Sequence, residues 1–143
     1  MGLDQALDIS VTGINANRIH MEIIASNLAN MNTTRTEQGG PYRRKIPVFG
    51  EKLLDFSEAL TTAQKNLSGG IEVKEIVEDP APFQKVFNPG HPDADSDGFV
   101  ALPNVDVPEQ MVDMMSASRA YQANLTAIGL IRDMISHALE LGK

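Results

Sequence analysis

The feature that most constrains the fold is a heptad repeat near the end of the sequence. Over residues 111–139, mostly apolar side chains return at alternating spacings of three and four. This period places side chains along one side of an α-helix that pairs with another helix. The repeat consists of Met111, Met114, Ser118, Tyr121, Leu125, Ile128, Arg132, Ile135 and Leu139. It predicts one long C-terminal helix with a helical partner.

A capping sequence marks the start of this helix. Asp106 and Glu109 have the Asp-x-x-Glu spacing of a capping box. Pro108 falls in the first turn, where its missing N–H loses no helical hydrogen bond. We therefore predict that the helix begins near Asp106.

The first thirty residues carry a second amphipathic pattern, which the turn residues Gly39-Gly40-Pro41 bring to an end. Its main apolar positions lie seven residues apart, at Leu7, Ile14, Met21 and Leu28. We predict that the two helices lie antiparallel, because the segment between them gives the chain a return path. These four residues should then face Tyr121, Leu125, Ile128 and Ile135.

Between the helical patterns, short β-prone runs alternate with Gly and Pro turns. The predicted strands are Tyr42 to Phe49, Ile71 to Val77, Pro82 to Phe87 and Phe99 to Leu102. The predicted fold class is α+β, mainly α. Residues 1–34 and 104–143 should form a discontinuous domain of paired terminal helices, an antiparallel coiled coil. Residues 35–103 should form a β-rich insert that leans on the helices or on neighbouring molecules, with loops and a short helix near 53–67.

Both helices carry more apolar surface than a two-stranded coiled coil needs. The additional residues are Ile24 on the first helix and Met115, Ile131, Met134 and Leu141 on the second. A small bundle within one chain is one way to bury them. We favour burial between subunits, because contiguous exposed apolar area usually marks an interface.

The bulk composition disfavours several function classes. Nineteen acidic against twelve basic residues give a net charge of −7, which would repel a nucleic acid. The absence of Cys excludes disulfides, thiol catalysis and Cys-ligated zinc. No apolar run approaches the roughly 20 residues that span a bilayer, and the N-terminus lacks the basic region of a cleavable secretory signal. The basic cluster Arg43-Arg44-Lys45 is interpreted as a solvated strand face, with a protein interface as the alternative.

The stretch Asp93-Ala94-Asp95-Ser96-Asp97-Gly98 copies the first half of a calcium-binding loop. The second half does not match, because Asn104 stands where the bidentate Glu belongs. Asp93, Asp95 and Asp97 are thus weak metal candidates at most, and we expect a solvated acidic turn. A calcium-binding or regulatory coiled-coil module remains the alternative function.

The sequence contains no recognisable catalytic constellation. His20, His91 and His137 are far apart and match no metal-ligand spacing. No phosphate-binding loop, nucleophile elbow or Cys–His pair is present. We therefore expect neither enzyme activity nor a cofactor. His91, held between turn residues, is better suited to a contact loop.

Several motifs in this order resemble the flagellar basal-body rod family. The stretches 13–18 and 25–33, which read GINANR and ASNLANMNT, resemble the signature shared by rod, hook and related axial proteins. Four further stretches, 77–83, 88–95, 103–107 and 116–124, resemble the proximal-rod members of that family. Residues 34–40 depart from the shared signature as an insertion before Pro41-Tyr42-Arg43.

The resemblance implies a structural subunit that carries torque from motor to hook, with no cofactor. Its implied partners are other rod subunits, copies of itself in a helical array and the flagellar type III export apparatus, without nucleic acid or membrane insertion. The implied location is the periplasmic rod, reached from the cytoplasm without a cleaved signal peptide. The expected interface residues are Leu7, Ile14, Met21, Leu28, Asn27, Asn30, Asn32, Tyr42, Arg43, His91, Met114, Tyr121, Leu125, Ile128 and Ile135.

Overall fold

The computed structural model describes residues 2–53 and 68–141. In this part of the chain the elements are α1 (Leu3–Ala29), β1 (Lys45–Leu53), β2 (Ser68–Glu78), β3 (Gln84–Phe87), β4 (Phe99–Leu102) and α2 (Val107–Leu141). This order confirms the α+β, mainly α class. The short helix predicted near 53–67 lies outside the described residues, apart from Leu53 at the end of β1.

The two helices pack side by side and antiparallel. The Asn27 side-chain amide donates to Gln110 Oε1 at 2.9 Å. Further back along α1, a Cβ placed on Gly13 would lie 2.8 Å from Asn124 Nδ2. The second contact thus lies fourteen residues nearer the start of α1 and fourteen residues nearer the end of α2. The predicted antiparallel pairing is confirmed.

The predicted start of α2 is confirmed by its capping hydrogen bond. The Glu109 N–H donates to Asp106 Oδ1 at 3.1 Å, and the helix begins at Val107. Asp106 thus supplies an acceptor for one of the N–H groups that a helix leaves without a partner in its first turn.

The seam of α2 lies one residue away from half of the predicted positions. Its buried residues are Gln110, Ala117 and Ile131, and Asn124 faces Gly13. The sequence prediction instead chose Met111, Ser118, Leu125 and Arg132, and Leu125 is 46% exposed. Of the other predicted residues, Met114, Tyr121, Ile128 and Ile135 are half-buried beside this line, and Leu139 is 68% exposed. The prediction followed large apolar side chains, whereas the close approach of two helices favours small and amide side chains.

The same displacement is found on α1. Its buried residues are Gly13, Ala16, Ile23, Ile24 and Asn27. The predicted seam of Leu7, Ile14, Met21 and Leu28 lies next to this line and is half-buried. The four predicted side chains therefore flank the contact, whereas Ile23 and Ile24 are the large side chains that α1 buries.

The described part of the insert contains two separate antiparallel strand pairs, which we call the β1–β2 and β3–β4 hairpins. Strand β1 pairs with β2 from Lys45 opposite Glu78, and β3 pairs with β4 with Phe87 opposite Phe99. The β1–β2 hairpin packs along α1, where the Ile71 N–H donates to Thr12 Oγ1 at 3.2 Å. The expectation that the insert leans on the helices holds for this hairpin. Within the described helices, none has an apolar stretch long enough to cross a membrane.

Candidate assembly interface

A buried amide joins the two helices to the first hairpin. Asn27 is 1% exposed, and its Nδ2 donates to the Lys45 carbonyl and to Gln110 Oε1, both at 2.9 Å. Its Oδ1 accepts from the Tyr42 hydroxyl and from the Lys45 N–H, again both at 2.9 Å. All four hydrogen bonds that an amide side chain can make are therefore satisfied within the chain.

Arg44 forms the charged centre of the same junction. Its guanidinium binds both carboxylate oxygens of Glu109, at 3.0 and 3.2 Å. It also lies 3.7 Å from Asp113 and 3.8 Å from Asp79. Its backbone N–H donates to Asn104 Oδ1 at 2.9 Å. Arg44 thus links the first turns of α2 to the end of the hairpin where β1 begins and β2 ends. It also links them to the segment before α2.

Arg43 holds the segment that follows β2. Its guanidinium donates to the carbonyls of Asp79 and Ala81 at 2.8 and 3.1 Å, and it lies 4.3 Å above the Phe83 ring. The Asn104 amide donates to the same two carbonyls at 3.2 Å. Two side chains therefore fix the turn between the hairpins.

These contacts correct the interpretation of Arg43-Arg44-Lys45 as a solvated strand face. Arg44 is only 16% exposed at its side chain, and Arg43 is half-buried. Lys45 alone of the three is exposed. Buried charges require nearby partners, and the acidic groups that provide them come from segments distant in sequence.

The acidic turn uses its carboxylates within the fold. Asp93 accepts from the Thr34 hydroxyl at 2.8 Å, and Asp95 accepts from the backbone N–H groups of Asp97 and Phe99 at 3.0 and 2.8 Å. Across residues 2–53 and 68–141, no three His, Asp or Glu side chains are placed to hold a metal ion. The carboxylates of Asp93 and Asp95 therefore hold this turn in place through hydrogen bonds within the chain.

The histidines lie in three different environments. His20 is partly buried on α1, with its ring centre 5.5 Å from that of Phe49, and burial lowers the pKa of His20. His91 Nδ1 accepts from the Asp93 N–H at 3.1 Å, so it shapes its own turn. His137 is exposed near the end of α2.

Large apolar side chains remain exposed in several places of the described chain. Eight of them lie on α2: Met111, Val112, Met115, Leu125, Leu130, Met134, Leu139 and Leu141. At 3.6 residues per turn, Met111, Val112, Met115 and Leu130 share the side of α2 that faces away from the seam. The β3–β4 hairpin carries another group, where Phe87 is 64% exposed and its ring packs edge-on against Phe99 at 5.4 Å. Eight exposed large apolar side chains on one helix are more than scattered surface residues explain, and they are typical of an interface.

The predicted interface residues are distributed over the whole range of exposure. Asn27 and Tyr42 are buried, and Asn32 and Leu125 are exposed. The others are half-buried: Leu7, Ile14, Met21, Leu28, Asn30, Arg43, His91, Met114, Tyr121, Ile128 and Ile135. Their contacts with other subunits stay a prediction.

Sequence reasoning missed three amide residues that position the junction. Gln110 and Asn124 lie fourteen residues apart in the buried line of α2, and shifting the heptad frame by one residue would have identified both. Asn104 was considered only as a defective calcium ligand. Its hydrogen bonds to Arg44, Asp79 and Ala81 leave no local sequence signal, because those residues are distant along the chain.

Comparison with known proteins places both ends of the chain in one group. Residues 7–35 match the family model described as flagella basal body rod protein. Residues 96–141 match the model described as flagellar basal body rod FlgEFG protein C-terminal. The two matches cover most of α1 and the whole of α2.

Curated relatives match over nearly the full length. The flagellar basal-body rod protein FlgC of Bacillus subtilis is 40% identical, with 96% of this chain and 97% of the relative aligned. The FlgC of Borreliella burgdorferi is 37% identical, with 99% and 98% aligned. The FlgC of Salmonella typhimurium is 37% identical over the whole of both chains. With its paired terminal helices and this similarity from end to end, the chain belongs to the FlgC family of flagellar basal-body rod proteins.

Proposed function

We propose that this chain is a structural subunit of the proximal rod, which assembles with other rod subunits and with copies of itself. In this role it has no catalytic activity and needs no cofactor. The observation that carries the proposal is the set of eight exposed large apolar side chains on α2. A helix with this surface gains stability when neighbouring subunits remove these side chains from water.

The packing of the chain suits the transmission of torque. Helix α2 has 35 residues, which corresponds to a rod of about 50 Å at 1.5 Å per residue. Helix α1 packs along α2, and the β1–β2 hairpin packs against α1. Packed interiors deform little under load, so such a stack can pass force along its length to the next subunit.

The proposed location is the periplasmic part of the basal body, reached through the flagellar type III export apparatus. The absence of Cys supports passage as an unfolded chain, because no disulfide has to be broken or formed on the way. In this proposal, the half-buried and exposed apolar residues become covered only after export, when neighbouring subunits are present.

The proposal is tested by placing a carboxylate among the exposed apolar side chains of α2. We expect Leu125→Asp to prevent rod completion, because burying an unpaired carboxylate costs several kcal/mol in each subunit. The free chain should lose less than about 1 kcal/mol of stability, since the side chain is 46% exposed. Rod completion is measured by imaging isolated basal bodies, and export by immunoblot of the secreted fraction.

The matched control is Leu125→Met, which keeps an apolar side chain of similar volume. It should assemble normally, and both variants should be exported like the unaltered chain. Normal rods built from the Leu125→Asp chain would refute burial of this surface and remove the main support for the proposed assembly.

A further inference from the structure

The seam between α1 and α2 repeats every seven residues. On α2 the repeat is formed by Gln110, Ala117, Asn124 and Ile131. On α1 it is formed by Gly13, His20 and Asn27, because Asn27 contacts Gln110 and Gly13 faces Asn124. A repeat of this kind offers the helices alternative registers, each displaced by one heptad.

Apolar packing distinguishes these registers poorly. Gly13 and Ala117 present little side-chain shape to a partner, so a displaced pairing encounters few clashes. A displacement by seven residues in one direction would place Asn27 opposite Ala117 and Gly13 opposite Ile131. A displacement in the other direction would place Gly13 opposite Ala117 and Asn27 opposite Pro103, which lies before α2. Apart from Ile131 and the buried Ile23 and Ile24, the large apolar side chains lie beside this central line and would again find apolar neighbours.

Asn27 responds differently to such a displacement. The backbone N–H and carbonyl of Lys45 fix the orientation of its amide, so Asn27 Nδ2 must face an acceptor on α2. The Gln110 side-chain amide lies 2.9 Å from Asn27 Nδ2 and is 1% exposed, and because Lys45 fixes Asn27, we place the Gln110 oxygen on this side as the acceptor. In the displaced register, Ala117 would supply none. The next amide in this line, Asn124, lies two heptads away, and reaching it would remove the first two heptads of α2 from the seam.

We propose that the Asn27–Gln110 pair is the register lock of the helix pair. The pair selects one alignment of α1 against α2, and the Lys45 and Tyr42 contacts of Asn27 tie that alignment to the position of the β1–β2 hairpin. A single buried polar pair that fixes register has precedent as a physical device in coiled coils. The inference concerns one folded chain and does not depend on rod assembly.

Cysteine pairs can read the register directly, because the chain has no Cys of its own. Gly13→Cys combined with Asn124→Cys reports the observed register. Gly13→Cys combined with Ala117→Cys or with Ile131→Cys reports the displaced registers. At low protein concentration under mild oxidation, we expect the 13–124 disulfide to exceed each displaced disulfide at least tenfold, measured by mass spectrometry of peptides.

The lock is then removed by Asn27→Leu together with Gln110→Leu in each cysteine background. We expect the displaced disulfides to rise to within about threefold of the 13–124 disulfide, while circular dichroism shows that the helices persist. If only the 13–124 cysteine pair still forms a disulfide, or if its yield falls and neither displaced pair forms one, the Asn27–Gln110 pair only stabilises the fold. The proposal is then wrong.

Two further variants keep the test decisive. If the double Leu variant loses its helical signal, Gln110→Leu alone leaves the contacts of Asn27 with Tyr42 and Lys45 in place. Displaced disulfides must then appear in this variant, and their absence overturns the lock. Asn30→Leu is the matched control, because Asn30 bonds only to Ser26 and Thr33 near its own helix end. It should leave the disulfide pattern unchanged.

Discussion

Arg44 lies where α2, the β1–β2 hairpin and the segment before α2 meet. Three carboxylates, from Asp79, Glu109 and Asp113, lie within 4 Å of its guanidinium. Without this cation, the three carboxylates would face one another across a partly buried junction. Single polar residues of this kind fix the angles between elements, because each hydrogen bond is directional in a way that apolar contact is not.

We expect Arg44→Met to lower the free energy of unfolding by about 1–3 kcal/mol. Breaking a fully buried ion pair costs more, but Glu109 and Asp113 are partly exposed, which reduces the penalty. The control is Arg18→Met, which breaks an exposed pair with Glu22 on α1 and should cost at most about 0.5 kcal/mol. Urea denaturation measures both, and equal losses would contradict the role assigned to Arg44.

His20 makes the same junction sensitive to pH. Burial lowers its pKa below the ordinary value of 6.5, and the Asp113 carboxylate offsets part of that effect. The folded chain therefore binds the histidine proton less readily than the unfolded chain. Its contribution to stability is present above about pH 6.5 and is lost as the pH falls through the lowered folded-state pKa.

We expect His20→Gln to reduce the loss of stability between about pH 8 and about pH 5, because the group that resists protonation is gone. Urea denaturation at the two pH values gives the difference for each protein. His137→Gln, at the exposed end of α2, is the control and should leave that difference unchanged. A His20→Gln chain with the full pH dependence of the unaltered protein would exclude His20 as its source.

At the level of elements, the two helical glycines have different reasons to be there. Gly13 lies in the seam, where an added Cβ would come within 2.8 Å of Asn124 Nδ2. Gly129 lies on the exposed side of α2, and nothing lies within 4 Å of an added Cβ. Close approach of the helices explains the first glycine, whereas packing within one chain does not explain the second.

We expect Gly129→Ala to stabilise the free chain by about 0.5–1 kcal/mol, the usual gain when alanine replaces an exposed helical glycine. Gly13→Ala should give no such gain, because Asn124 has to move to admit the methyl group. Thermal and urea denaturation of the two variants measures the contrast. Equal stabilisation by both substitutions would mean that α1 and α2 are not in close contact at Gly13.

At the scale of the whole molecule, the insert and the helices depend on each other. The described insert contains two separate two-stranded sheets, and hairpins of that size are marginally stable at best when isolated. The Asn27 side chain of α1 donates to the Lys45 carbonyl of β1 and accepts from the Lys45 N–H. The Thr12 hydroxyl of α1 accepts from the Ile71 N–H of β2. We therefore expect residues 35–103 to fold only together with residues 1–34 and 104–143.

We expect a fragment of residues 35–103 to remain unfolded, because it lacks α1 and α2, whose side chains anchor its strands. A two-dimensional amide NMR spectrum should show narrow proton dispersion for the fragment and broad dispersion for the full chain. A well-dispersed fragment spectrum would mean that the insert is a domain in its own right.

The sequence by itself determined the type and order of the elements. Heptad spacing identified both helices, the Asp106–Glu109 spacing located the start of α2, and runs between Gly and Pro turns located the four strands. These signals are local, because hydrogen bonding within a helix, capping and turn formation depend on residues a few positions apart. The rod-family motifs are likewise readable from contiguous residues, so the family was predictable before the fold.

The tertiary structure alone decided which side of each helix forms the contact. Apolar periodicity favours Leu125, but the line of contact passes through Asn124, because Gly13 has no side chain and leaves room there for the Asn124 amide. The tertiary structure also places acidic groups around Arg44 that lie up to 69 positions away along the chain. Arg44 and Asp113 come together only when the helices pair. Burial and hydrogen-bond partners depend on residues distant in sequence, and no local pattern encodes them.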